Sequence, residues 1–427
     1  MAHNMAENLD QKVIRRAQLV ALLKEKYPKT SGILIFCAAF ETTRDAFYQD
    51  STFSYFVGLN EPGIVVTQEI NSNTAILHEP KYKIKRSIWL PETYNDAFLE
   101  KFNIIQKQFL GDFVPGYSID LFTSIQAYDA FIEMLKAVVD RGDHIFVSMT
   151  DVSPECAVVM QRILALIPGS DKACIDISSC IAQLRRKKEQ AEIELMYRAV
   201  EITAMAQEGA AGMIAPLKTE AEMQAVIEYV FTGNQATRSF SSIVGAGKNS
   251  TILHYVSNSG VLEKGDLVVI DIGASYMHYC ADLTRTYPIS GKFTARQREI
   301  YTIVLHVQEH IAAIAKPGMW LNNADVPDQS LHHIAHALMK EKGYGAYFPH
   351  GIGHFVGLDV HDVGDSKVAL AEGDVITIEP GIYIPEEKLG VRIEDMYWMI
   401  QGGAVCLSEG LPKTADEIEA LMRDCAV

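Results

Sequence analysis

The spacing of hydrophobic positions changes several times along this chain, and each change marks an element. From Gln11 to Lys24 apolar residues recur at helical spacing, whereas Gly32 to Cys37 is a continuous apolar run that predicts a buried strand. Ser153 to Ile167 returns to the helical period and Ala173 to Ile177 to a strand. After Ser178 and Ser179 the composition shifts to Arg185-Arg-Lys-Lys188, followed by a helix with Ile193, Met196, Tyr197 and Val200 on one face. This shift predicts a boundary near residue 180, separating an α/β domain (1–180) from a second domain (181–427). In the second, Thr294-Ala-Arg-Gln297 is a capping box that opens a helix carrying Ile300, Ile303, Val304, Val307, Ile311 and Ile314, closed by Pro317-Gly318. A further helix is predicted from Gln329 to Lys340, and Thr414-Ala-Asp-Glu417 caps a last one. Helices alternating with β-branched hairpins give an α+β domain with helices outside a curved sheet.

The hairpins carry the chemistry. Asp266 to Gly273 and His278 to Tyr287 read as two antiparallel strands. A turn centred between Tyr276 and Met277 would set Asp271 directly opposite Asp282, with Cβ atoms roughly 5 Å apart. Val375 to Glu379 and Val391 to Glu394 repeat the construction around Pro385 to Gly390, and a midpoint between Glu386 and Glu387 sets Glu379 opposite Glu394. Like charges facing each other across a ladder are destabilising, and four ionised carboxylates at one apolar site require protons or cations. Two divalent ions cancel the four charges. With His354 as a fifth ligand, the set of four oxygens and one nitrogen is harder than a structural zinc site and suits Mn²⁺, then Co²⁺ or Zn²⁺. A water bridging two such ions loses a proton near neutral pH and becomes a nucleophile, while one ion polarises a carbonyl. The pattern implies hydrolysis.

Composition narrows the context. A chain of 427 residues, 48% hydrophobic and 22% charged, can bury a large core, and its formal charge of −16 argues against a nucleic-acid footprint or an acidic membrane partner. Arg185-Arg-Lys-Lys188 reads as the solvated start of a helix. The first ten residues lack a basic segment followed by an apolar one, and no apolar run is long enough to span a bilayer, so a soluble, cytoplasmic protein is expected. Seven cysteines without Cys-x-x-Cys pairs suit reduced thiols packed as small hydrophobes. His332-His-Ile-Ala-His336 has zincin spacing but lacks the glutamate of that motif, so it reads as a helix surface. Tyr276 and Tyr279 read as packing around the first hairpin.

Four segments together carry a resemblance: Asp271-Ile-Gly followed by Asp282-Leu-Thr-Arg-Thr, Gly351-Ile-Gly-His354 through His361-Asp, Glu379-Pro-Gly-Ile-Tyr383, and Arg392-Ile-Glu394-Asp. They resemble the metallopeptidase family of aminopeptidase P and prolidase. Gln49-Asp-Ser-Thr-Phe to Tyr55 and on to Pro62 extends the likeness, more loosely, into the first domain. The resemblance implies a pita-bread catalytic domain in which Asp271 holds one metal, His354 and Glu379 the other, and Asp282 and Glu394 bridge both. It further implies that Glu379 shuttles the proton, that His361 and His254 stabilise the oxyanion from two sides, and that His350, Arg392 and Tyr383 bind substrate. The implied substrate is a peptide with proline second. Such a bond is a tertiary amide lacking the N–H that most proteases grip, so the ring needs its own pocket.

Within that family the reading is an Xaa-Pro aminopeptidase. The alternative is an Xaa-Pro dipeptidase, although the short stretch between His361 and Glu379 lacks an insertion found in many dipeptidases. A non-catalytic pita-bread interaction module is a more distant alternative, against which all five ligand types stand. Tyr48 and Thr42 depart from the residues common in the N-terminal motif, where the family often carries an arginine and an acid. A dimer or tetramer is the family expectation.

Overall fold

The structure, a computed structural model, describes residues 2–42, 46–72, 74–150 and 152–424, with side chains from residue 11 onward. The chain divides into two compact units, Met1–Arg185 and Arg186–Val427. The first is a six-stranded mixed sheet ordered Ile104–Val114, Ala75–Tyr82, Val65–Glu69, Gly32–Cys37, His144–Val147, Cys174–Asp176. Its central strand Gly32–Cys37 coincides with the apolar run seen in sequence, and the first helix starts earlier than its apolar spacing suggests, at Ala2–Lys26. The helices Asp129–Asp140 and Pro154–Leu164 bury Phe131, Leu135, Met160 and Ile163 against the sheet. The Gln49 motif has a local cause. Gln49 Oε1 accepts from the N–H groups of Ala39 and Asp50, its amide donates to Leu59 and Glu61 carbonyls, and Asp50 N-caps Ser51–Phe56.

In the second unit, helices Gln190–Met213, Glu220–Gly233, Ala295–Ile314, Leu331–Glu341 and Ala415–Asp424 surround interrupted antiparallel hairpins. One hydrophobic core joins them, with Ile300, Val304, Val307 and Ile311 meeting Ile270, Ile376, Ile382 and Val391. Thr294 and Gln297 form the capping box reciprocally, and Thr414 caps the last helix through the N–H of Glu417. No helix among the described residues is long and apolar enough to cross a membrane.

The first hairpin corrects one expectation. Tyr276 pairs with Tyr279, and the turn is Met277-His278, both with positive φ (51° and 71°) as a type I′ turn requires. The centre therefore lies one residue later than expected, which moves the register by two: Thr284, not Asp282, stands opposite Asp271. A shift of two preserves the face. The second hairpin has the expected register, with Ile378 opposite Asp395 and Gly381 opposite Arg392, a frame in which Glu379 falls opposite Glu394.

The basic cluster is a second correction, because it is not a solvated helix start. Arg185 donates to Thr52 Oγ1 at 3.0 Å, Arg186 Nε to Asp374 Oδ1 at 2.7 Å, and Lys188 is buried in an ion pair with Asp362. Of the four, Lys187 alone is exposed. Cysteines 156, 180 and 280 are buried and 37, 174 and 406 half-buried, all as free thiols, while Cys425 lies outside the described residues.

Arg285 joins the two hairpins behind the acidic residues. Its Nη1 donates to the carbonyls of Thr284 (2.9 Å) and Glu394 (2.7 Å), its Nη2 to Asp395 Oδ1 (2.7 Å) and Leu411 O (3.2 Å), and its Nε to Pro412 O (2.7 Å). Gln308, Ser408 and Lys413 complete the shell around Asp395. Truncating one partner of such a pair strands the other charge in a low-dielectric interior, at a cost of about 3–5 kcal/mol. Arg285→Ala is accordingly expected to lower the thermal midpoint by on the order of 10 °C. A shift within scatter in differential scanning fluorimetry would show that the staple is dispensable.

Candidate metal centre

Each acidic side chain sits at a break in a hairpin. Asp271 is next to last in Leu267–Ile272, Asp282 immediately precedes Leu283–Pro288, Glu379 follows Val375–Ile378, and Glu394 lies between Leu389–Arg392 and Asp395–Ile400. His354 comes from the irregular segment beside Thr377, whose hydroxyl accepts the His354 N–H at 3.0 Å and donates to Glu379 Oε1 at 3.1 Å. A single threonine thus orients two of the five. Thr284 does the same for Glu394, donating to Oε2 at 2.6 Å.

Ligand atoms of Asp282, His354 and Glu394 all lie within 4.8 Å of one another. His354 Nε2 is 3.3 Å from Asp282 Oδ2 and 3.5 Å from Glu379 Oε1. Its Nδ1 donates to the Phe355 carbonyl at 3.1 Å, which leaves the Nε2 lone pair directed at the acids, the tautomer that metal ligation needs. Asp271 Oδ1 and Asp282 Oδ1 are buried and have no hydrogen-bond partner. Buried carboxylate oxygens are seldom left unpaired. Orphaned oxygens beside a free imidazole nitrogen fit divalent cations, and no rearrangement of the ligand types is needed.

Electrostatics point the same way. Burial, then repulsion from Asp271 and Glu379, pushes Asp282 well above the usual carboxylate range. Burial, then repulsion from Asp282, does the same to Glu394, and burial raises Glu379. Arg392 is the nearby compensating charge. Its three side-chain nitrogens donate to Asp271 Oδ2 (2.5 Å), Tyr383 Oη (2.8 Å) and Thr284 Oγ1 (3.2 Å). Burial opposes its charge, but Tyr383, Asp271 and Glu394 outweigh burial and hold it above the ordinary arginine range. One guanidinium cannot neutralise four carboxylates.

A cavity of about 510 Å³ opens onto these groups and is also lined by His254, His350, His361 and Arg392. His361 lies against His354, ring centroids 4.0 Å apart and planes tilted by 44°, and burial followed by His354 lowers its pKa to about 4, so the ring is a neutral N–H donor at neutral pH. His254 is exposed. His350 donates from Nδ1 to Gly351 O (2.8 Å) and accepts at Nε2 from Tyr383 Oη (3.0 Å). Tyr383 itself is not on the cavity wall. Its hydroxyl receives Arg392 and passes the contact to His350. Sequence reasoning missed Phe240, Ser241, Ile243, Leu253, Val256 and Val360, which line the same cavity. Nothing in their spacing marks them, because they reach it from three separate segments, 240–243, 253–256 and 360, with Ile243 opening the strand Ile243–Ala246. The His332–His336 pair stays apart from the cavity on a half-buried helix, where His332 meets Phe348 at a ring distance of 6.0 Å.

Fold and site together define a metal-dependent hydrolase with an N-terminal α/β domain and a pita-bread catalytic domain. Residues 194–401 match the model of metallopeptidase family M24, and residues 13–114 match that of the aminopeptidase P N-terminal domain. The chain is 31% identical to the Xaa-Pro aminopeptidase of Escherichia coli, an alignment covering 98% of this chain and 99% of that one. The solved structure of E. coli aminopeptidase P with the inhibitor Pro-Leu superposes with a TM-score of 0.79 at 28% identity, covering 98% of both chains. The Xaa-Pro dipeptidase of Pyrococcus furiosus is 43% identical, over 55% of this chain and 66% of its own length. This protein belongs to the aminopeptidase P family of M24 metallopeptidases.

The raised carboxylates make a testable linkage. A carboxylate whose folded pKa lies above its unfolded value binds more protons in the folded state, so its contribution to stability falls as pH rises from about 4 through the folded value. Cations replace those protons. The gain in thermal midpoint on adding Mn²⁺ to chelator-treated protein is expected to be larger at about pH 8 than at about pH 5. Equal gains would mean that the acids hold no protons in the metal-free fold.

Proposed function

We propose that this protein is an Xaa-Pro aminopeptidase that uses two divalent ions, most suitably Mn²⁺, held by Asp271, Asp282, His354, Glu379 and Glu394. The observation that carries the reading is the convergence of two orphaned carboxylate oxygens and a free imidazole nitrogen in one cavity, in a chain that aligns end to end with an Xaa-Pro aminopeptidase. When bound, such ions would supply a deprotonated water at neutral pH and polarise the scissile carbonyl.

The remaining work falls to side chains. Glu379, largely buried at the cavity wall and oriented by Thr377, takes the proton of the attacking water and delivers it to the leaving proline nitrogen. His361, neutral at working pH, donates its N–H to the oxyanion that develops in the tetrahedral transition state, and His254 approaches from the rim. Asp271 anchors the free amine of the first residue. Both nitrogens of His350 are engaged, so its ring offers only carbon edge and face, a suitable wall for a pyrrolidine. Arg392 holds Asp271 and Tyr383 in place, and Tyr383 in turn holds His350.

The metal-loaded protein is expected to hydrolyse Ala-Pro-Ala, to leave Ala-Ala-Ala intact, and to reject a substrate with an acetylated amine. Turnover of Ala-Pro without Ala-Pro-Ala would favour the dipeptidase reading, which draws on the 43% identity to the Pyrococcus furiosus dipeptidase over 55% of this chain. Glu379→Gln is expected to lower kcat by roughly 10²–10⁴-fold. Asp282→Ala or Glu394→Ala should remove bound metal and activity together; retained activity would overturn the bridging assignment.

A further inference from the structure

Lys188 and Asp362 form an ion pair that the reaction described above does not use. Nζ lies 2.8 Å from Oδ2, and each side chain is 1% exposed. Taking both charges out of water is costly, and a pair serving solubility alone would sit at the surface. Its location suggests another use. Asp362 directly follows His361, and its N–H donates to the Phe355 carbonyl at 2.9 Å, the same carbonyl that accepts from His354 Nδ1. One oxygen therefore ties the turn bearing His361 to the imidazole of His354.

The turn is packed onto the pair. A Cβ on Gly357 would come 2.0 Å from Asp362 Oδ2 and 2.8 Å from Lys188 Cε, so its backbone rests directly on both charged groups. Its other flank is held by Cys280, whose N–H donates to Gly357 O at 2.8 Å and whose thiol reaches Leu358 O at 3.4 Å. Lys188 is in turn fixed from behind, its N–H donating to Gly373 O at 2.9 Å.

We propose that Lys188 is a positioning residue for His361: its buried ammonium, paired with Asp362, sets the turn 357–362 so that the His361 imidazole is presented to the cavity beside His354. The proposal rests on the reading of His361 as the oxyanion donor. An imidazole that must meet charge developing only in the transition state tolerates little displacement, and a shift of about 1 Å can cost on the order of 100-fold in rate.

The test compares Lys188→Met, Lys188→Met with Asp362→Asn, and each in a His361→Ala background, on the metal-loaded full chain with Ala-Pro-Ala as substrate. Lys188→Met is expected to lower kcat about 10- to 100-fold, with KM within about twofold and metal content unchanged. The neutral double variant leaves no buried charge unpaired, so its thermal midpoint is expected to recover while kcat does not. If Lys188→Met does not fold, that double variant carries the comparison. In the His361→Ala background neither change should lower kcat further. Recovery of kcat together with the midpoint, an undiminished loss in the His361→Ala background, or loss of bound metal would each overturn the proposal. An unchanged kcat in His361→Ala alone would instead remove the oxyanion assignment, and this role with it; a reaction that depends on His361 but ignores Lys188 would overturn the positioning only.

Discussion

Four carboxylates share one buried cavity with a single guanidinium, and much of the second unit is arranged around that imbalance. Arg392 commits all three side-chain nitrogens, to Asp271, Tyr383 and Thr284, so the guanidinium on the cavity wall is also an orienting strut. Thr284 and Thr377 spend their hydroxyls on Glu394 and Glu379. What these contacts leave over, the unpaired oxygens of Asp271 and Asp282, is a demand that bound cations would meet. A fold that keeps such a site without collapse must draw stability from elsewhere, here from the continuous apolar core and from the Arg285–Asp395 staple.

Both hairpins are broken where their acids sit, and the breaks have a function. A regular ladder would aim alternate residues at opposite faces and engage every backbone group in pairing. Interruption at Gly273, at Ala281-Asp282 and at Glu379-Pro380 lets neighbouring segments turn their carboxylates to a common point while Arg285 closes the gap from behind. A Cβ on Gly273 would lie 1.9 Å from the Ala281 carbonyl, so only glycine permits the strands to approach there.

Two elements show how legibility depends on range. The capping boxes at Thr294 and Thr414 could be read directly, since the partners are three residues apart and the signal is complete within them. The first hairpin's turn was less legible, because a type I′ turn is ordinarily marked by Asn-Gly or Asp-Gly and here is made by Met277-His278. The observed centre lies one residue beyond the one the spacing predicts, and the pairing two. Because side chains alternate with period two, the acids kept their common face, and the inference of a metal site survived an incorrect register.

By itself the sequence determined the elements with strong periodicity or caps, the α+β class, and the acids that converge on one cavity, since a hairpin carrying opposed acids is a local statement of uncompensated charge. Tertiary structure alone decided the rest. It placed Thr284 opposite Asp271, turned Arg392 inward as a strut, brought six unmarked residues from three separate segments to the cavity wall, and buried Lys188 against a residue 174 positions away. A lysine in a basic run reads as solvated because its partner is not in its own segment: the carboxylate that pairs with Lys188 is Asp362, not the adjacent Glu189. Whether it is buried depends on where a distant carboxylate arrives, and that is fixed only when the whole core packs.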